Sequence, residues 1–136
     1  MQDVRADFFG PSARLHHVGL VVRRIAEVPL GGGGTPPVTF DPIQKVRVAF
    51  VMVGDCRIEL IEPTASDSPV AAALERGGKL LHLCFEVDDL PAAAATAQTH
   101  GFRIISAPAG ATAFDSRRIQ WLYHGTWGLI ELLERA

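Results

Sequence analysis

Cysteine is scarce in this chain of 136 residues: there are two, Cys56 and Cys84, both inside strand-like runs. Such a pair makes neither the framework of a disulfide-stapled secreted domain nor a CxxC metal clip, and both are expected as buried small hydrophobes. An excess of one charge is also lacking, with 13 Lys+Arg against 15 Asp+Glu and a formal charge of −2. A nucleic-acid partner therefore has no electrostatic basis, and a small molecule is the expected ligand. No apolar run reaches membrane-spanning length, and the opening MQDVRADFFGPSAR scatters charges where a secretory core would stand. The expectation is a cytoplasmic protein without a membrane partner. With 48% hydrophobic residues, residues 1–136 suffice for one ordinary core and read as one domain.

What the first half lacks is a helix of useful length. After LHHVGLVV, a β-branched run from Leu15, the segment RRIAEVPLGGGGTPPVTF carries Pro29, glycines at 31 to 34 and Pro36-Pro37. These residues break helices, so at most one turn is expected near Ile25. The glycine run is not a phosphate loop, since neither a Lys-Ser/Thr pair nor a helix follows it. Strands are expected at Val38–Phe40, Lys45–Val53 and in CRIELIEP up to Pro63, with Gly54-Asp55 as the hairpin turn. A linking helix over 68–77, capped by Asp67 or Ser68 and ended by Gly77-Gly78, comes next.

A second set repeats this order: KLLHLCFEV, an Ala-rich helix from Leu90 to about His100 with Gly101 after it, FRII, an Ala/Gly/Pro loop, RRIQWLYH and GLIELLE. The reading is an α+β fold of two βαβββ modules, about 14–63 and 79–134, forming a cup-shaped mixed sheet with the first module's helix shortened or absent.

The repeat carries chemistry. Each module has a histidine on its first strand, His17 and His82, and a glutamate on its last, Glu59 and Glu131, 42 and 49 residues further on. Alternation on strands groups His17 with Leu15 and Gly19, His82 with Leu80 and Cys84, Glu59 with Arg57 and Ile61, and Glu131 with Leu129 and Leu133. A carboxylate on so apolar a face needs a partner, and these residues can satisfy one another by sharing one divalent ion. The donor set suits Zn, Mn, Co, Ni or Fe(II) without choosing among them. His16, His100 and His124 lack this symmetry and are assigned no role, and alternation turns His16 away from the site.

The run Gln44–Leu90, together with LHHVGLVV and GLIELLE, resembles the vicinal-oxygen-chelate superfamily, and IELIEP with DSPV resembles its methylmalonyl-CoA epimerase branch. The resemblance puts the family's four metal-ligand positions on His17, Glu59, His82 and Glu131. It implies an enzyme that enolises an acyl or carbonyl substrate at the metal, with Glu131 moving the proton and Glu59 available as a second base. Gln44, Trp121 and Tyr123 are expected to contact the substrate. The chain departs from the branch where some members carry a second basic glutamate, here Val48, and where H-P-K precedes the last strand, here YHGTWG. The same ligand set also serves a glyoxalase-I-like lyase, a dioxygenase needs only two His and one carboxylate, and a ligand-sequestering protein would use the cup with Trp121, Tyr123 and Trp127 as stacking surfaces. The apolar face left uncovered by the missing helix, with Val18, Leu20 and Val22, implies a homodimer.

Overall fold

The computed structural model describes residues 2–32 and 34–136; Gly33 of the glycine run lies outside the described residues. Its strands are β1 (Arg14–Val21), β2 (Thr39–Asp41), β3 (Val46–Val53), β4 (Cys56–Pro63), β5 (Leu80–Val87), β6 (Arg103–Ile104), β7 (Ala109–Gly110), β8 (Arg118–His124) and β9 (Gly128–Glu134). They form one curled, open, mixed sheet of nine strands in the order β2-β3-β4-β1-β5-β9-β8-β6, with β7 on β8. The order has a centre between β1 and β5, which pair antiparallel. On either side of it the same sequence recurs: a parallel neighbour, β4 on β1 and β9 on β5, then two antiparallel strands.

The two halves differ in what covers their outer faces. In the second half α2 (Leu90–Thr99) begins at Asp89, whose side chain accepts the Ala92 amide, and has Pro91 in its first turn. Leu90, Ala93, Ala94 and Ala97 repeat at the spacing of one helical face and pack with Phe9, Phe102, Leu122, Ile130 and Leu132. The alanines let the helix lie close to the sheet. In the first half the chain manages only a 3-10 turn at Ile25–Glu27. Ile25 is buried against Ala49 and Leu60, with Val22, Val28, Val51 and Ile58 partly covered around them.

The linking helix α1 is shorter than the sequence implies, covering Ala71–Glu75. Of its expected caps, Asp67 pairs with Lys45, and the Ser68 hydroxyl donates to the Gln44 carbonyl while accepting a long bond from the Val70 amide just before the helix. The bonds to Lys45 and Gln44 tie the linker to the β2–β3 turn, where Asp41 accepts the amides of Ile43 and Gln44. Of the two cysteines Cys84 is buried, but Cys56 is only half-buried because it opens β4 directly after the exposed hairpin turn. Among the described residues no helix is long and apolar enough to cross a membrane.

Candidate metal centre

Two rows of residues cross the concave face in register. One runs Phe50, Glu59, Gly19, His82 across β3, β4, β1 and β5; the other runs Trp121, Glu131, Cys84, His17 across β8, β9, β5 and β1. They are one row repeated about the centre of the sheet, each bringing a glutamate from the last strand of its half and a histidine from the first strand of the other. Their meeting point holds all four expected ligands.

His17 Nε2 lies 3.1 Å from His82 Nε2, 3.4 Å from Glu59 Oε1 and 3.2 Å from Glu131 Oε1. His82 Nε2 stands 3.5 Å from Glu59 Oε1 and 3.3 Å from Glu131 Oε1. Donors about 2.1 Å from a tetrahedral ion would be roughly 3.4 Å apart, so this spacing matches ligands around one cation. All four residues are buried. His82 Nδ1 is enclosed without a hydrogen-bond partner, and Glu131 Oε1 is enclosed with no well-aligned one, only the close contacts to the two imidazoles. Orphaned buried polar atoms are rare, and an ion among the four donors would satisfy the carboxylate. The residues present fit a divalent metal.

Without the ion, a proton takes its place. Burial alone would lower the His17 pKa, but hydrogen bonds to Glu131 and Glu59 outweigh it and raise it to about 9. Burial would raise Glu131, and the hydrogen bonds of His17 and His82 reverse this, holding the carboxyl below the usual carboxylate range. Cys84, level with Glu131 in the sheet, has its thiol pushed well up by burial and by the Glu131 charge. It also lies within ligand distance of His16 and His17, yet a thiol kept protonated is the weaker donor.

Gly19 makes room for one ligand. A Cβ built on it would lie 2.2 Å from His82 Cε1, so the ring occupies the space a side chain would fill. At the matching place in the other row stands Cys84, and β1 passes it with a register irregularity between Leu15 and His17. That irregularity corrects the expectation for His16. Instead of turning away, its Nδ1 lies 2.9 Å from His17 Nδ1, with its ring edge-on to Phe114. With His17 Nε2 facing the centre, the His17 Nδ1–H donates to His16, an outer-shell bond that sets ring orientation and tautomer. Strict alternation hides this residue, and its adjacency to His17 is the only sequence signal for it.

Glu59, His82 and Glu131 form the floor of a cavity of about 540 Å³, and Gln44 and Trp121 stand in its wall. Trp121 meets the His82 ring edge-on, centroids 4.9 Å apart. Tyr123 is a correction: it lies outside this cavity, 39% exposed, under the Arg103 guanidinium. It shares a face with Trp121, but lies near the end of β8, beyond the floor. Trp127 packs on Phe8 and lines a separate recess with Phe85 and Phe102, so it offers no surface to the cup.

Three outcomes are expected. Because His17 must give up its proton to a metal, binding should release about one proton and tighten by roughly tenfold per pH unit between pH 7 and 8.5. Calorimetry in buffers of different ionisation enthalpy measures both. The raised His17 pKa also stabilises the metal-free fold below about pH 6.5, and this contribution should fade as pH rises through about 9. Gly19→Ala, by displacing the His82 ring, should weaken Zn²⁺ or Co²⁺ binding at least about tenfold. An unchanged dissociation constant in a folded variant would contradict this.

The model of the glyoxalase/bleomycin resistance protein/dioxygenase superfamily matches residues 16–120. Mitochondrial methylmalonyl-CoA epimerase of Bos taurus is 35% identical over 101 residues, 68% of this chain and 57% of that protein. The chain thus spans little more than half the length of that relative. A hypothetical protein of Bacillus halodurans superposes with a TM-score of 0.76 at 24% identity, covering 92% of this chain and 96% of the other. A Streptomyces coelicolor methylmalonyl-CoA epimerase in complex with 2-nitronate-propionyl-CoA gives 0.74 at 25% identity, covering 90% and 94%. Matched by the family model over most of its length and built on the sheet of these structures, the chain belongs to the glyoxalase/bleomycin resistance protein/dioxygenase superfamily.

Proposed function

We propose that this protein is a metal-dependent isomerase of the epimerase type, which enolises an acyl or carbonyl substrate over the floor formed by Glu59, His82 and Glu131. The observation that carries the reading is Glu131: a buried carboxylate, held ionised, with one oxygen shared between two imidazoles, facing both the other ligands and a cavity large enough for a small molecule. A divalent ion held by His17, Glu59, His82 and Glu131 would supply Lewis-acid stabilisation of the enolate oxygen.

The remaining chemistry belongs to the side chains. Glu131 takes the proton from the carbon beside the carbonyl, and the electron pair of the broken C–H bond passes into the enolate. Returning the proton to the same face restores the substrate; epimerisation requires delivery from the other. Val48 on the cavity wall has no proton to give. Asp41 also lines the cavity, but its Oδ1 accepts the Ile43 and Gln44 amides. Glu59, across the floor from Glu131, is the second base in this proposal. His17 stays behind the ligands, fully buried and oriented by His16. Trp121 bears edge-on against His82 and excludes water from that side. The similarity to methylmalonyl-CoA epimerases supports this reaction class.

Solvent-deuterium exchange at the α-carbon, followed by NMR over a panel of acyl thioesters and 2-ketones, tests the reading. Exchange should require added metal, cease with chelator, and fall by roughly 10² to 10⁴ in Glu131→Gln. Exchange that survives that substitution would remove Glu131 from the role.

A homodimer belongs to the same proposal. Val18, Leu20, Val22, Val51 and Ile58 are only half-buried on the face that α2 covers in the other half, and a second copy would complete their burial. Light scattering at micromolar concentration is expected to give the mass of two chains; the mass of one defeats the idea.

A further inference from the structure

The cavity and its floor agree on the charge of what they accept. We propose that the substrate class is an uncharged, predominantly apolar carbonyl compound, rather than an acyl-coenzyme A or a free carboxylate. This rests on the enolising metal centre proposed above.

The first argument is the charge of the floor. Two neutral imidazoles and the carboxylates of Glu59 and Glu131 bring a divalent ion to a formal charge of zero, where a glutamine at position 59 would leave one positive charge. An anionic substrate finds no net attraction there and would give up its hydration to enter a buried site. When the C–H bond breaks, the proton moves to Glu131 and the electron pair stays on the enolate. Glu131 loses a charge as the enolate gains one, so the centre remains neutral only with a substrate that began uncharged.

The wall makes the same choice. Val46, Val48, Ile61, Val70, Ile119 and Leu129 line it, and among the described residues no Lys or Arg does. The basic residues adjoining lining positions are already paired. Lys45, next to Gln44, is tied to Asp67; Arg118, next to Ile119, lies 2.6 Å from Glu134; Arg47, between Val46 and Val48, lies 2.9 Å from Glu62. At the mouth the lining residues Ile43 and Ile105 are 83% and 52% exposed, so the rim is apolar as well. Phosphates are most strongly held by Arg, Lys or a helix N-terminus. The N-terminus of α2 lies on the outer face and already carries the carboxylate of Asp89. The only α-helix end at this wall is that of α1, a helix of five residues entered through the lining residues Pro69 and Val70, so among the described residues a coenzyme A diphosphate crossing this mouth would find no lining Arg or Lys.

Three ligands separate the classes: 2-hydroxyacetophenone, the same ketone with a carboxylate para to the acyl group, and methylmalonyl-CoA. Each is titrated by calorimetry into Co²⁺-replete protein and into protein stripped with chelator. The uncharged ketone should bind at least about tenfold more tightly than its carboxylated form, and methylmalonyl-CoA should not reach saturation. Glu59→Gln, which raises the charge of the metal-loaded floor by one, should narrow the gap between the two ketones. An uncharged ketone that binds no better than the other two, or not at all, overturns the proposal. Failure of Co²⁺ to bind stoichiometrically instead defeats the metal centre, and the ranking in stripped protein still reports what the cavity prefers.

Discussion

Two carboxylates at the bottom of an apolar cup are the constraint on which the rest of the sheet depends. An isolated buried charge costs several kcal/mol even after relaxation, and Glu59 and Glu131 face each other's field with few amides to relieve it. Only positive charge between them resolves this. The imidazole of His17 provides it as a proton in the metal-free protein, which is why burial fails to lower the His17 pKa. The same donors, spaced 3.1 to 3.5 Å apart, suit a single cation.

The repeat explains how one sheet assembles such a centre. Because β1 and β5 meet at the middle, each histidine is carried across to the glutamate of the opposite half. Neither module could build the site alone. The symmetry is broken where function gains from it: Gly19 yields space to the His82 ring, while Cys84 keeps its side chain and β1 bends past it. It is broken again on the outside, where α2 covers one half and a 3-10 turn the other.

The cavity above the centre has the character of a site for a small, uncharged molecule: apolar walls, a few polar groups and carboxylates confined to the floor and to a satisfied turn. Membership of the superfamily accounts for the sheet. Val48 and the Ala-rich loop that carries Ala107, Ala109, Ala111 and Ala113 line the cavity with small apolar groups. The reacting centre and the surface that selects a substrate are thus separate parts of one cup.

The sequence by itself determined the two-module order, the quartet of His17, Glu59, His82 and Glu131 and the missing helix, because each rests on local chemistry. Pro29, the glycine run and Pro36-Pro37 break a helix wherever they stand, and a glutamate inside LIELL demands a partner in any fold. Tertiary structure alone decided which neighbours those residues have. Alternation along β1 turns His16 away, but the register irregularity beside β5 brings it to His17. Parity also groups Tyr123 with Trp121, while the extent of the cavity leaves Tyr123 outside, and the capping residues expected of α1 were taken by Lys45 and the Gln44 carbonyl. Periodicity reports the face of one strand; which residues meet there depends on register between strands far apart in the chain, which no local pattern encodes.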